Sequence, residues 1–436
     1  MQSNDELQLA AEMALISTVK STQLVEMARD GAQLQNFQDK LEDSKDRVDI
    51  VKKVLTSTPP SMIDIPTATQ MDNFLQRSNV ELPVDEAGSV VGVEKLGFTL
   101  MPAEYIKTRL AGCENFLADF FRKGKEYASS IGRIFRESYL VFTESIDSLN
   151  EQVEFLEKRL ARAGTFKAGT SEIMLGTRLF NLFKVNEKVD ENWVTNVTKL
   201  NNTISALSSN YLLSNKNFLN NTMSYFGGFD GVGQEEGKER FLLLPKTLVS
   251  ARFKDCTYPN KDYTTGKAVA KQSVELMGGA FFLDIRREKV NNSPTDIDGV
   301  QEYVTGMISH DRVGFENNAP VSYPRIGAAV KTLSSTDIAS IIKLLKDTLK
   351  SWQKAADGLE TYRVDDVEFS NIVKAIYESQ MDDELKSIVQ STFMSIVRHN
   401  QTEMLTTRAS VNNYLVLVFN GLIELCETSI SANAPQ

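Results

Sequence analysis

Between Phe135 and Leu160 the apolar positions fall at Phe135, Tyr139, Phe142, Ile146, Leu149, Val153, Leu156 and Leu160. The steps alternate between four and three, which puts all of them on one stripe of a helix with 3.6 residues per turn. Upstream, Ile106, Leu110, Cys113, Leu117, Phe120, Tyr127, Ile131 and Ile134 keep the same steps with Gly124 in one slot. The stripe then shifts by one residue, which rotates the seam and marks a local adjustment or bend in a long helix. One helix is predicted over about 103–163, with Pro102 suited to its first turn and Gly164 to its stop. Phe135, Tyr139 and Phe142 are bulky for a two-stranded seam and suit the inside of a bundle. The stripe therefore reads as the central spine of an intramolecular helical bundle.

Other segments carry the same period. Leu34, Phe37, Leu41, Val48, Val51 and Leu55 belong to a first helix over about 5–55, with Ser3 and Glu6 at capping-box spacing before it. Pro59 and Pro60 break that helix, and the chain to about Phe98 reads as a linker with one short helix. Helical patterns follow at 170–185 and 189–222; after Pro324, Ser334 and Asp337 offer a start signal before Ile338, Ile341, Leu345, Leu349 and Trp352 on one face, and patterns at 366–379, 382–399 and 402–430 come next. Between 225 and 332 the texture changes. FLLLPKTLVSARF and GGAFFLDIRRE read as short strands, and NNSPTDIDG as a loop. The fold class predicted is mostly α: an elongated helical bundle with a long central helix and a small strand-containing insertion. Four parts are expected: an acidic helical arm and linker at 1–98, itself a candidate propeptide, the long-helix half at 99–224, the insertion at 225–332 and a C-terminal helical half at 333–436.

Composition narrows the function. The 436 residues carry a formal net charge of −10, the reverse of the Lys/Arg excess that a dedicated nucleic-acid binder uses to displace phosphate counterions. Loose contact with nucleic acid remains compatible with that balance. Cys113, Cys256 and Cys426 are scattered and odd in number, which implies no disulfide framework. The acidic N-terminus lacks the basic and apolar regions of a signal peptide. The longest apolar run, Tyr414 to Cys426, is shorter than the ~20 residues of a bilayer span. A soluble protein with no stable membrane insertion is expected.

No catalytic constellation is complete. GVGQEEGKER fails as a phosphate loop, because Val232 stands where its first Gly belongs and Glu239 replaces the Ser or Thr that binds magnesium. The two histidines, His310 and His399, have no Cys or His at metal-ligand spacing. Asp296 and Asp298 resemble half of a calcium loop, but Pro294 occupies the first ligand position. Asp365-Asp366 and Asp382-Asp383 stand where helices begin and complement the helix dipole. A non-enzymatic protein without cofactor or metal is expected.

The order of parts resembles the internal head and virion structural proteins of large tailed bacteriophages. The resemblance is carried by the segment Ser148 to Leu160 (S-L-x-x-x-V-x-x-L-x-x-R-L), by FLLLPKTLVSARF, and by Thr332 to Ile342. It implies a packaged component of the capsid interior, present in the host cytoplasm during assembly. Its implied partners are other virion proteins, with loose contact to packaged DNA. It also implies removal of an N-terminal propeptide by a protease that cuts after Glu in a small-x-Glu setting. Ala10-Ala11-Glu12 and Gly112-Cys113-Glu114 fit, so Glu12 and Glu114 are the candidate processing positions. A second reading is a helical pore-forming or membrane-remodelling protein with Gly278 to Leu283 as a short apolar β-tongue.

Overall fold

A computed structural model describes residues 4–59, 63, 65–80, 102–169, 171–185, 188–248, 268–287, 294–317, 328–360 and 366–433. Two helices lead. The first, α1, runs over Asn4–Ser57, and α2 follows at Ile65–Arg77. The long helix α3 occupies Pro102–Ala163 without interruption, so the one-residue seam shift is absorbed by burying both Ile134 and Phe135. Next come β1 (Glu172–Met174), α4 (Thr177–Phe183), β2 (Lys184–Val185) and β3 (Lys188–Val189). Helix α5 (Trp193–Ala206) continues through a π-helical segment, Leu207–Leu212, into α6 (Leu213–Gly227), and α7 is Gln234–Thr247. Strands β4 (Ala268–Gln272) and β5 (Ala280–Arg287) precede α8 (Ile297–His310), β6 (Arg312–Asn317) and β7 (Ala329–Lys331). The chain closes with α9 (Ser335–Glu360), α10 (Asp366–Glu378) and α11 (Asp383–Asn433).

The architecture is mostly α with a small antiparallel strand element. Strands β4, β5 and β6 form one sheet in that order, β1 pairs with β7, and β2 with β3. Two compact units divide the chain. One is Met1–Asp30 with Ile134–Gln436, and the other is Gly31–Arg133. These boundaries differ from the four-part division read along the sequence. The first residues of the expected arm pack with the distant C-terminal part, as Ser21 Oγ donating to Asn413 Oδ1 at 3.2 Å shows.

Several local readings change. FLLLPKTL lies in helix α7, where Phe241 and Leu244 are buried and Leu243 is exposed, a helical spacing and not a strand's alternation. The two helices expected at 382–399 and 402–430 are one, and in the polar stretch between them Asn400 Nδ2 donates to Asn215 Oδ1 at 3.3 Å. The helix expected over 170–185 gives way to β1, the short α4 and β2, since Glu172 to Met174 find an edge to pair with in β7. Residues Ser3, 81–98 and Cys256, and the ends of FLLLPKTLVSARF and NNSPTDIDG, lie outside the described residues.

In the larger unit α3 is the spine. Ile146, Leu149, Val153 and Leu156 are fully buried, Phe135 and Phe142 nearly so, and Tyr139 and Leu160 are half-buried. Full burial of an aliphatic or aromatic side chain contributes about 1.5–3 kcal/mol each. Phe142 meets Trp352 of α9 edge to face, with centroids 5.7 Å apart. Helix α11 runs parallel to α3, since Ser138 contacts Arg408, Ser145 contacts Asn412 and Arg159 contacts Glu427. The first thirty residues run antiparallel to both, with Lys20 on Glu144 and Ser21 on Asn413. Helix α11 is long and apolar enough to cross a membrane by length and composition, and most of its residues are buried within this unit.

The smaller unit has its own core. Val48, Val51 and Leu55 of α1 pack with Ala68, Met71 and Leu75 of α2 and with Tyr105 and Cys113 of α3.

Candidate functional site

The chemistry-bearing residues that the structure gathers are buried polar groups between helices. In the larger unit they form a ladder along α3. Arg408 Nη1 donates to Ser138 Oγ at 2.9 Å, and Asn412 Nδ2 donates to Ser145 Oγ at 3.1 Å. Further along the helix Gln152 Nε2 donates to Ser17 Oγ at 3.3 Å, one turn beyond the bond from Ser148 to Met13. Small hydroxyls at Ser138, Ser145 and Ser148 let neighbouring helices approach the spine while still satisfying polar groups.

Arg408 is the most unusual member. It is 1% exposed, and among the described residues its Nε and Nη2 have no hydrogen-bond partner. Its guanidinium lies over the rings of Phe135 and Phe142 at 5.3 and 5.9 Å. Burial in this apolar setting pulls its pKa down to about 10, a cost that the ring faces and one hydroxyl offset only in part. Nearby, Trp352 Nε1 and Asn412 Oδ1 are also unsatisfied.

In the smaller unit the arrangement is closed. Arg109 Nε and Nη2 reach Asp72 Oδ1 and Oδ2 at 2.8 and 2.9 Å, a two-pronged pair, and Tyr105 Oη donates to Asp72 Oδ1 at 3.0 Å. The Tyr105 hydroxyl is pushed far above its ordinary range, first by burial and then by the carboxylate of Asp72. This is a structural clamp joining α2 to α3. Burial also pushes the Cys113 thiol up to about 11, which makes it a poor nucleophile near neutral pH.

The motifs singled out along the sequence take structural places. Gly233 is the N-cap of α7, with Glu235 and Glu236 in its first turn, where phosphate would meet two carboxylates. Asp296 Oδ1 accepts from the Gly299 amide at 2.8 Å, capping α8, with Asp298 in the same first turn. His310 ends α8, and His399 lies 3.4 Å from Glu403 within α11. Among the described residues no three His, Cys, Asp or Glu side chains converge as a metal site would need. Gly278 has a φ of +76° against the Leu182 carbonyl, a position that favours glycine, and Phe281, Phe282 and Leu283 are buried in the central strand β5. Glu12 and Glu114 are exposed, yet each sits in the hydrogen-bonded backbone of a long helix, α1 or α3.

The eight stripe residues are brought together along one helix face, whereas Glu12 and Glu114 fall in different units. Sequence reasoning passed over Arg408, Asn412, Asp72 and Arg109. A signal for the first two existed: an Arg and an Asn four apart, which a helix places on one face.

Fold and site together define a helical structural protein whose polar groups hold helices to one another. A family model for phiKZ-like phage internal head proteins matches residues 15–428, and the chain belongs to that family. It is thereby a virion structural protein of the phage head interior. No curated protein and no solved structure matches it.

Proposed function

We propose that this protein is packaged with the genome inside the phage head and acts there, without catalysis, by packing its helices against other virion proteins. The observation that carries this is family membership over residues 15–428, joined to a fold whose buried polar groups serve interhelical contacts. The net charge of −10 favours protein partners over tight DNA binding and leaves room for loose contact with packaged DNA. The chain passes through the host cytoplasm during assembly.

Of the two processing positions, Glu12 fits the fold better. A cut there removes only what precedes Met13. A cut after Glu114 would separate α2 and Arg109 from the rest of α3 and divide the smaller core. Either cut needs local unwinding of a helix, since proteases act on extended chain. Mass spectrometry of purified particles tests both statements. The intact or shortened chain is expected inside DNA-filled heads, and its absence from them would sink the packaging reading. An N-terminus other than Met13, an intact Met1 included, would rule out processing at Glu12.

A further inference from the structure

One face of the larger unit carries apolar side chains that stay exposed among the described residues. On α1, Leu15, Ile16, Val19 and Val25 are 63, 46, 44 and 36% exposed. Leu15 and Val19 lie opposite the buried Met13, Ser17, Ser21 and Leu24, with Ile16 and Val25 on the two flanks. The Ile16 flank faces α3, where Lys20 pairs with Glu144 and the exposed Leu140 stands one turn before it. The Val25 flank faces α11, where Asn413 and Asn420 contact Ser21 and Thr18 and the exposed Leu417 lies between them. Beside the stripe opens a groove of about 520 Å³ with a mixed lining, in which Leu15, Phe155 and Ile423 stand beside Arg178, Glu424 and Glu427.

We propose that this face is a self-association surface, occupied by a second copy of the chain with the two α1 helices antiparallel. The charge order along the stripe selects that occupant and that direction. Its outermost line reads Glu12, Leu15, Val19, Thr22, Glu26, Arg29. Turned end over end on itself, it sets Glu12 of each copy opposite Arg29 of the other, Val19 opposite Thr22, and Leu15 opposite Glu26, whose methylene stem can lie against it. Moving the centre so that Glu12 meets Glu26 would oppose like charges, and a parallel pair would stack every charge on itself.

The same two-fold places the flanks in register. Leu417 falls near the axis and meets its own copy. Val25 comes over the partner's groove, and Ile16 comes beside the partner's Leu140. From Glu12 to Arg29 the contact spans about 27 Å of helix, long enough for an ordinary specific interface once the two flanks join. An isologous contact of this kind closes on itself and ends at a dimer.

Sedimentation velocity of the full chain across a wide concentration range tests the proposal. A reversible doubling of mass is expected. Val19→Glu and Leu417→Glu, both at exposed positions, should each weaken it by at least roughly tenfold while circular dichroism and melting temperature stay unchanged. Arg29→Glu should weaken it too, and combining it with Glu12→Arg should restore it. A monomer at every concentration would overturn the proposal, including one that bound other virion proteins through this face. So would a dimer indifferent to Val19→Glu and Leu417→Glu, or a charge exchange that fails to restore association.

Discussion

Arg408 shows what a single residue costs in this fold. A guanidinium taken out of water needs partners for five donors, and here two aromatic faces and one serine hydroxyl serve it. Replacement by Met keeps an unbranched chain of similar reach and removes the charge. Arg408→Met should therefore be neutral or stabilising by about 1–3 kcal/mol in urea denaturation. Arg408→Ala should instead cost about 2–4 kcal/mol, because the stem that packs on Phe135 and Phe142 is lost. The pH sign follows from the depressed pKa. Burial pulls the folded-state pKa down to about 10, while the unfolded chain keeps the higher value ordinary for an arginine. The cost is thus present at neutral pH and shrinks only as pH rises through that window. The cysteines give a second check. Cys113 and Cys426 are fully buried, with both thiols pushed up by burial. In a Cys256→Ser background, a thiol reagent at pH 8 should label neither residue until denaturant is added.

At the scale of elements, the stripe from Phe135 to Leu160 finds its partners within the chain. Helix α11 lies parallel to it, and α9 and the start of α1 lie antiparallel, as the pairs Lys346 with Glu157 and Lys20 with Glu144 indicate. Ile146→Asp or Leu149→Asp buries a carboxylate among apolar neighbours and should unfold this unit, read as lost helical signal. A variant that stayed folded would show that the spine is not the core it is taken to be. Helix α11 also meets α4 closely. A Cβ on Gly421 would stand 2.3 Å from Leu182 Cδ2 and 3.0 Å from Phe183 Cζ. Gly421→Val should cost about 1–3 kcal/mol through overpacking, although the β-branched residue sits on an otherwise regular helix. Periodicity made the long helices readable, including the ends of α3. It misjudged α7 because four apolar residues in a row carry no period of their own. The β1–β7 pair was invisible for another reason, since a three-residue strand exists only once its distant partner is beside it.

The chain divides into two compact units, so its unfolding should not be a single two-state event. Calorimetry is expected to give a measured enthalpy larger than the van 't Hoff value. Asp72→Ala removes the two-pronged carboxylate partner of the buried Arg109, and should lower only the transition that belongs to Gly31–Arg133. A single transition that moves as one body under this substitution would contradict independent cores. The sequence by itself determined the helical class, the long spine and its buried face, because hydrophobic period is a local property written every three or four residues. It also determined the absence of any complete catalytic motif and the family to which the layout points. Tertiary structure decided which helices cover the spine, which polar residues lie beneath the surface, and that Met1–Asp30 packs with the C-terminal part instead of standing apart as an arm. Those outcomes depend on contacts between residues more than a hundred positions apart, such as Ser17 with Gln152 and Ser138 with Arg408, and no local pattern encodes such a meeting.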